Sequence, residues 1–280
     1  MSENPALTKQ LEDYKMYLKE NEKSPLTIEK YVHELTCFLK FLKGDAISKG
    51  KVLEYREFLQ NRNQAGTVNG KLSAIHAYLE YAGLSWCKVR FLKIQRKVFL
   101  DDDRELSQAE YHRLLETAQS HKNSRLYHVM LTICGTGIRV SELRFMTTES
   151  LHTGKVEICM KGKTRTVLLP KALLKKLRAY AKACGIHSGL LFRTRNGRFL
   201  DRSNICHDMK KLCKEAMVNP RKVFPHSLRH LFARTYYAIE KNLAHLADIL
   251  GHSSIETTRI YVAAGVREHE RTLEKMHLIK

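Results

Sequence analysis

Between Ser24 and Gly44, Ile28, Val32, Leu35, Leu39 and Leu42 recur at alternating steps of four and three residues, a spacing that an α-helix converts into one apolar face. Ser24 followed by Pro25 supplies an N-cap and a proline at the first helical position, and Gly44 is a natural stop. Comparable stripes flank this segment. Leu11, Tyr14 and Leu18 precede it; Leu53, Phe58 and Leu59 follow; then come Leu72, Ile75, Leu79 and Ala82, closed by Gly83. Residues 1–85 therefore read as a small helical bundle with no obvious catalytic cluster.

The pattern breaks over residues 86–104, where Lys88, Arg90, Lys93, Arg96 and Lys97 alternate with apolar side chains. This is the expected domain linker, either a solvated connector or a strap in which Lys93, Arg96 and Lys97 track a phosphate backbone. Ser107 and Glu110 then form a capping box that opens a helix through Tyr111, Leu114 and Leu115, so a second domain is expected over residues 105–280. Within it, the β-branched run from Val156 to Leu169, interrupted at Lys161-Gly162-Lys163, reads as a hairpin, and a further turn lies at Arg195 to Arg198. Helical spacing returns over 203–217, 227–239, 243–250 and 255–262. The expected fold class is mainly α with a small β-sheet: an N-terminal helical bundle followed by a C-terminal mixed α/β domain.

Charge then narrows the partner. Lys and Arg number 49 against 29 Asp and Glu, a formal charge of +20, and self-repulsion of that size is tolerated mainly when a polyanion cancels it. Hydrophobic residues at 43% and charged residues at 28% are globular values, so the charge belongs to a folded body. Nucleic acid is the leading partner, although an acidic membrane surface or an acidic protein fits composition alone. The 7 cysteines are odd in number and show no CxxC pair or metal-ligand spacing, so they read as reduced thiols in a cytosol, with no metal expected. The sequence has neither an apolar run of the about 18 residues that a membrane span requires nor a P-loop, so the expectations are a cytoplasmic location and no cofactor.

Four segments carry strong hydrogen-bond donors. In GTGIRVSEL, Gly135 to Leu143, glycines permit a tight approach before a helix whose first turn would hold Arg139 beside anion-favouring N–H groups. Lys161 occupies the hairpin turn. In HSLRH, an i to i+3 spacing puts His226 and Arg229 on one helical face, able to meet a single ligand, while His230 points elsewhere. LGHSSIETTRIY contains His252 and Tyr261. Taken singly, each has an ordinary reading: a surface arginine, a solvated lysine, a hydrogen-bonded structural histidine, a half-buried packing tyrosine.

Together and in this order, TGIRVSEL, MKGKTR, HSLRH and LGHSSIETTRIY resemble the tyrosine recombinase (phage integrase) family, whose motifs run approximately TGxRxSEL, a hairpin GKG, HxLRH and LGHxxxxTTxxY. The resemblance runs from about Leu106 to Val262, and TVNGKLSAIHAYLEYAG looks like the family's core-binding helices. It implies a site-specific DNA recombinase that cleaves and rejoins strands through a 3′-phosphotyrosine intermediate and a Holliday junction. The simpler Xer-type and transposon-borne members are the nearest in organisation. The implied partners are double-stranded DNA recombination sites and further copies of the chain, a homo-tetramer on two sites.

By the same resemblance Tyr261 is the nucleophile, Arg139 and Arg229 hold the non-bridging phosphate oxygens, His226 assists the tyrosine proton and His252 donates to a phosphate oxygen. Lys161 protonates the leaving 5′-oxygen, although the family's GKG is replaced by Met160-Lys161-Gly162-Lys163 and a one-residue shift would transfer that role to Lys163. Glu142 looks structural, since an uncompensated carboxylate beside a phosphate would oppose the reaction. A type IB topoisomerase-like enzyme would use the same chemistry to nick and rejoin one strand. The apolar tail after Tyr261, expected to dock on a neighbouring copy, is the feature that separates the two.

Overall fold

A computed structural model of the chain describes residues 5–94, 105–160, 162–262 and 274–276. Lys161, Arg96, Lys97 and all but three residues of the tail beyond 262 lie outside the described residues. The chain divides into two compact units, residues 1–96 and 97–280.

The first unit contains α1 (Pro5–Glu20), α2 (Pro25–Leu42), α3 (Lys49–Gln60) and α4 (Ala65–Tyr81), followed by a 3-10 turn at Ser85–Cys87. The Ser24 hydroxyl accepts from the Thr27 N–H and Pro25 starts α2 as expected, but the left-handed residue ending the helix is Lys43, at φ 50°, with Gly44 just beyond it at φ 98°. Tyr14, Leu35, Phe38, Leu72, Ile75 and Leu79 are fully buried. Leu39 is only partly buried; Phe38 takes the deeper position because its ring meets Tyr55 at 5.0 Å between centroids. Tyr14 meets Tyr78 edge to face at 5.2 Å, a geometry that adds about 0.5–1.5 kcal/mol beyond area burial. Among the described residues the one charge buried in this bundle, Glu34, is met by Lys71 Nζ at 2.8 Å.

The stretch expected as the domain linker begins packed into this bundle. Cys87 and Val89 are buried in its core, Leu92 packs against it, and Asn69 clamps the Leu92 backbone from both sides, donating to its carbonyl at 2.9 Å and accepting from its N–H at 2.8 Å. Arg56 donates to the Arg90 carbonyl. Apolar residues between the basic ones anchor 87–92, leaving Lys93 exposed.

In the second unit, the Ser107–Glu110 capping box is formed in both directions at the start of α5 (Gln108–Ser120). There follow α6 (Ser124–Thr136), a 3-10 helix at Val140–Phe145, α7 (Thr148–Thr153), the antiparallel hairpin β1 (Lys155–Met160) and β2 (Lys163–Leu168), α8 (Lys171–Ala183), α9 (Arg202–Leu212), α10 (Pro225–Glu240), α11 (Leu243–Leu250) and α12 (Ile255–Val262). Helix α9 stops at Leu212, short of the expected 217: the chain turns there, with the Val218 N–H returning to the Cys213 carbonyl and Met217 at φ 50°. Val129, Met130 and Ile133 of α6 are buried at the centre of the main core, and α6 packs against α5, α8 and α10. A smaller cluster of Ala233, Leu246, Leu250 and Tyr261 joins α10, α11 and α12. Among the described residues no helix is long and apolar enough to cross a membrane.

Candidate active site

The site forms where three loop-to-helix junctions and the hairpin converge. Helix α6 ends in a left-handed turn at Gly137, φ 66°, where an added Cβ would lie 2.5 Å from the Phe232 ring, so the chain can pass this close to α10 only without a side chain. That turn delivers Arg139 to the N-cap of the 3-10 helix rather than into its first turn. Its guanidinium, 35% exposed, donates from Nη1 to Glu142 Oε1 at 2.9 Å and from Nη2 to the Gly251 carbonyl at 3.2 Å.

Proline at the start of α10 fixes its entry, and the i to i+3 spacing brings His226 and Arg229 to one cluster. Arg229 is fully buried: Nη1 donates to the Gly137 carbonyl, and Nη2 to the Leu250 carbonyl at 2.7 Å. Its Nη2 also faces His252 Nε2 at 3.0 Å. Because arginine only donates, His252 Nε2 accepts here, and Nδ1 carries the proton toward Thr258 Oγ1 at 2.8 Å. Burial followed by the nearby Arg139 lowers the Arg229 pKa to about 10, which leaves it charged at neutral pH.

Tyr261 lies in α12 with its ring buried, and its Oη is 2.8 Å from His226 Nε2. The phenol donates to the imidazole lone pair, which requires a neutral His226. Desolvation, reinforced by His230 and Arg229, lowers the His226 pKa to about 4; desolvation and the arginines 229, 139 and 165 do the same for His252. His230 does not point away as expected. Its ring stands 4.3 Å from that of Tyr261, while Nδ1 meets Glu105 at 3.4 Å. Tyr236, by contrast, is bonded to His245.

Two residues without an expected role complete the cluster. Thr258 is fully buried beneath His252. Arg165 lies on β2 opposite Ile158 and reaches Glu142 Oε2 at 2.6 Å and the Ile249 carbonyl at 2.6 Å. Burial alone would raise the Glu142 pKa, but the Arg139 N–H and the two guanidiniums outweigh it and hold the carboxyl below its usual range. The acid is therefore compensated within the protein. In the hairpin's alternation Arg165 shares the inward face with Val167, and an arginine at an inward position was the readable sign that a buried acid awaited it.

Arg139, Ser141, Thr164, Arg165 and His252 line an open cleft of about 670 Å³. Three guanidiniums face one carboxylate with two neutral imidazoles, so the site retains net positive charge and a hydrogen-bonded phenol beside it. A phosphodiester suits such a site: guanidiniums match its oxygens, and a phenol is a group of the kind that can serve as a nucleophile. Among the described residues no cluster of His, Cys, Asp and Glu is suited to a metal ion. Lys93 belongs to the first unit.

Comparison with known proteins agrees with the geometry. The phage integrase family model matches residues 104–267, and the family's N-terminal SAM-like domain matches residues 11–84. Tyrosine recombinase XerA of Pyrococcus furiosus is 27% identical, covering 100% of this chain and 98% of the relative. Among solved structures, XerH site-specific recombinase bound to its difH substrate before cleavage superposes with a TM-score of 0.71 at 21% identity, covering 97% of this chain and 84% of that one. A lambda integrase tetramer bound to a Holliday junction gives 0.72 at 18% identity, covering 91% and 76%. Because the family model spans more than half of the sequence and its matched region contains every residue of the cluster around Tyr261, the chain belongs to the phage integrase family, that of the tyrosine recombinases.

Proposed function

We propose that this chain is a site-specific DNA recombinase in which Tyr261 attacks a backbone phosphorus. The new bond is a 3′-phosphotyrosine and the broken one frees a 5′-hydroxyl; reversal by the 5′-hydroxyl of another strand rejoins the DNA with no external energy source. The observation that carries this reading is the 2.8 Å contact of Tyr261 Oη with His226 Nε2, within a cluster that also contains Arg229 and His252.

In this reading His226 takes the phenolic proton. Arg139, Arg229 and His252 meet the non-bridging oxygens, where permanent cationic donors stabilise the charge gathered at phosphorus. Phosphate arriving at His252 restores the protonated form, since an adjacent anion raises an imidazole pKa. The turn lysine, Lys161 by its place before Gly162 and Lys163 otherwise, protonates the departing 5′-oxygen. Residues 1–85 act as the core-binding domain, 86–104 as the basic connector and 105–280 as the catalytic domain. XerH on its difH substrate and lambda integrase as a tetramer on a Holliday junction support duplex recombination sites as substrate and a tetramer as the working assembly. The working compartment is the cytoplasm, where the chromosome of a bacterium or archaeon is reached directly.

The test is covalent trapping. The full chain is incubated with randomised duplexes, each nicked so that cleavage releases a short strand, and protein-bound DNA is recovered under denaturing conditions and sequenced. A 3′-linked adduct at one recurrent sequence is the expected result. Adducts absent, or scattered without sequence preference, would overturn site-specific recombination, and the scattered pattern would favour a topoisomerase-like enzyme.

A further inference from the structure

Arg165 is a cationic residue of the cleft that the proposed chemistry leaves unused. One end of its guanidinium is bound to Glu142 on the 3-10 helix and the other to the Ile249 carbonyl at the end of α11, each at 2.6 Å. Its side chain is only 14% exposed. It also lies directly beneath the turn that supplies His252: a Cβ at Gly251 would collide with the Arg165 side chain, and Gly251 itself has φ 63°.

Glu142 joins the two arginines. Its carboxylate, 3% exposed, accepts from the Arg139 backbone N–H at 2.7 Å, from Arg139 Nη1 at 2.9 Å and from Arg165 Nη2. Without Arg165, that buried negative charge would have Arg139 as its remaining cationic partner. Arg139 would then be held more tightly against the carboxylate, with its charge cancelled internally instead of being offered to a phosphate.

We propose that Arg165 is a positioning residue: by taking up half of Glu142 and pinning the α11 end, it leaves the Arg139 guanidinium charged and directed toward the scissile phosphate. This rests on the phosphoryl-transfer reading of the site. Lysine cannot replace it, because a point charge lacks the fork that spans Glu142 and the Ile249 carbonyl together.

The experiment compares two versions of the suicide duplex recovered by trapping, one with an ordinary scissile phosphate and one with a methylphosphonate there. The methylphosphonate is uncharged, so its transition state needs less of the compensation that Arg139 supplies. Arg165→Ala should lower the single-turnover rate of adduct formation by about 10²-fold on phosphate, the scale of a misplaced reacting group. On methylphosphonate the deficit should shrink by about tenfold or more. Arg139→Ala should show the same pattern more strongly. Arg165→Lys, which preserves bulk and charge, should fall between the two and carries the comparison if the alanine variant melts at the assay temperature. Equal deficits on both substrates would mean that Arg165 merely supports the fold and would overturn the proposal, as would an Arg165→Lys protein with wild-type rate on phosphate. If wild type forms no adduct with either duplex, the phosphoryl-transfer reading itself falls, and this inference with it.

Discussion

The two units of the chain solve opposite problems with the same helices. The first buries rings and aliphatic side chains, and among its described residues the one buried acid, Glu34, is paired with Lys71. The second brings Arg229, Glu142, Thr258 and Tyr261 into its interior together and pairs most of their polar atoms: Glu142 with Arg139 and Arg165, Arg229 with the Gly137 and Leu250 carbonyls, Thr258 with His252 and Tyr261 with His226, while Arg229 Nε is left without a partner. Apolar burial contributes stability without specifying a chemistry. Burying charge costs free energy unless every partner is in place, so the second unit is the one whose polar contacts and reactivity depend on each other.

The sharpest way to test that contrast is at Tyr261. Tyr261→Phe removes one oxygen and leaves the ring, so folding should lose about 1 kcal/mol, the scale of one hydrogen bond. Adduct formation should vanish while DNA binding is retained, read on denaturing gels with the trapped duplex. Persistence of the adduct would move the nucleophile elsewhere.

In the first unit the expected effect is thermodynamic. Phe38→Ala should destabilise the bundle by about 3–5 kcal/mol, read by urea unfolding. Hydrogen exchange of the α12 amides should remain at the wild-type level. An equal loss of protection in α12 would show that the two units unfold as one and would break the comparison.

A third test uses pH. The first unit has one histidine whose pKa is lowered below 6.5 by burial, His76; the second has His128 and, driven down to about 4, His226 and His252. Groups that stay neutral in the folded state but charge in the unfolded chain contribute stability that is complete above pH 6.5 and is lost as pH falls toward 4. Melting temperature should therefore decline from pH 6.5 to 4.5, before the carboxylates begin to add their own loss. The double variant His226→Asn/His252→Asn should flatten that decline, and a slope left unchanged by it would assign the effect to His76 and His128. The smallest effect is expected at Lys93. Lys93→Ala should reduce the slope of log affinity for duplex DNA against log salt by about 0.9 if the residue meets one phosphate. An unchanged slope would make the 87–94 strap a piece of bundle packing alone.

How much of this was legible in the sequence follows from the kind of force involved. Stripes such as Leu72, Ile75 and Leu79 expose their burial through spacing, and the Ser107–Glu110 box declares its helix start, because both are local. The resemblance of four short segments placed Arg139, His226, Arg229, His252 and Tyr261 in one family pattern, and they do meet in space. The contacts that support them were not legible in that way. His230 was expected to face elsewhere, yet helix α10 turns it onto the Tyr261 ring, since only the docking of α12 decides what lies opposite that face. Arg165, the last residue of MKGKTR, drew no expectation of its own because its partners, Glu142 and Ile249, are distant in sequence and one is a carbonyl that no side-chain pattern records. The 87–92 strap misled for a related reason: its basic residues obscured the anchors Cys87, Val89 and Leu92.

Arg229 closes the polypeptide on itself. Its two terminal nitrogens rivet the carbonyl of Gly137 to that of Leu250, ends of two helices far apart in the chain. An inert form of this protein, wanted as a decoy that occupies its DNA site without cutting, is accordingly not to be made by deleting that arginine. The deletion would loosen the seam between the ends of α6 and α11. On the proposed chemistry, the single oxygen of Tyr261 is the place to disarm the molecule and leave its frame standing.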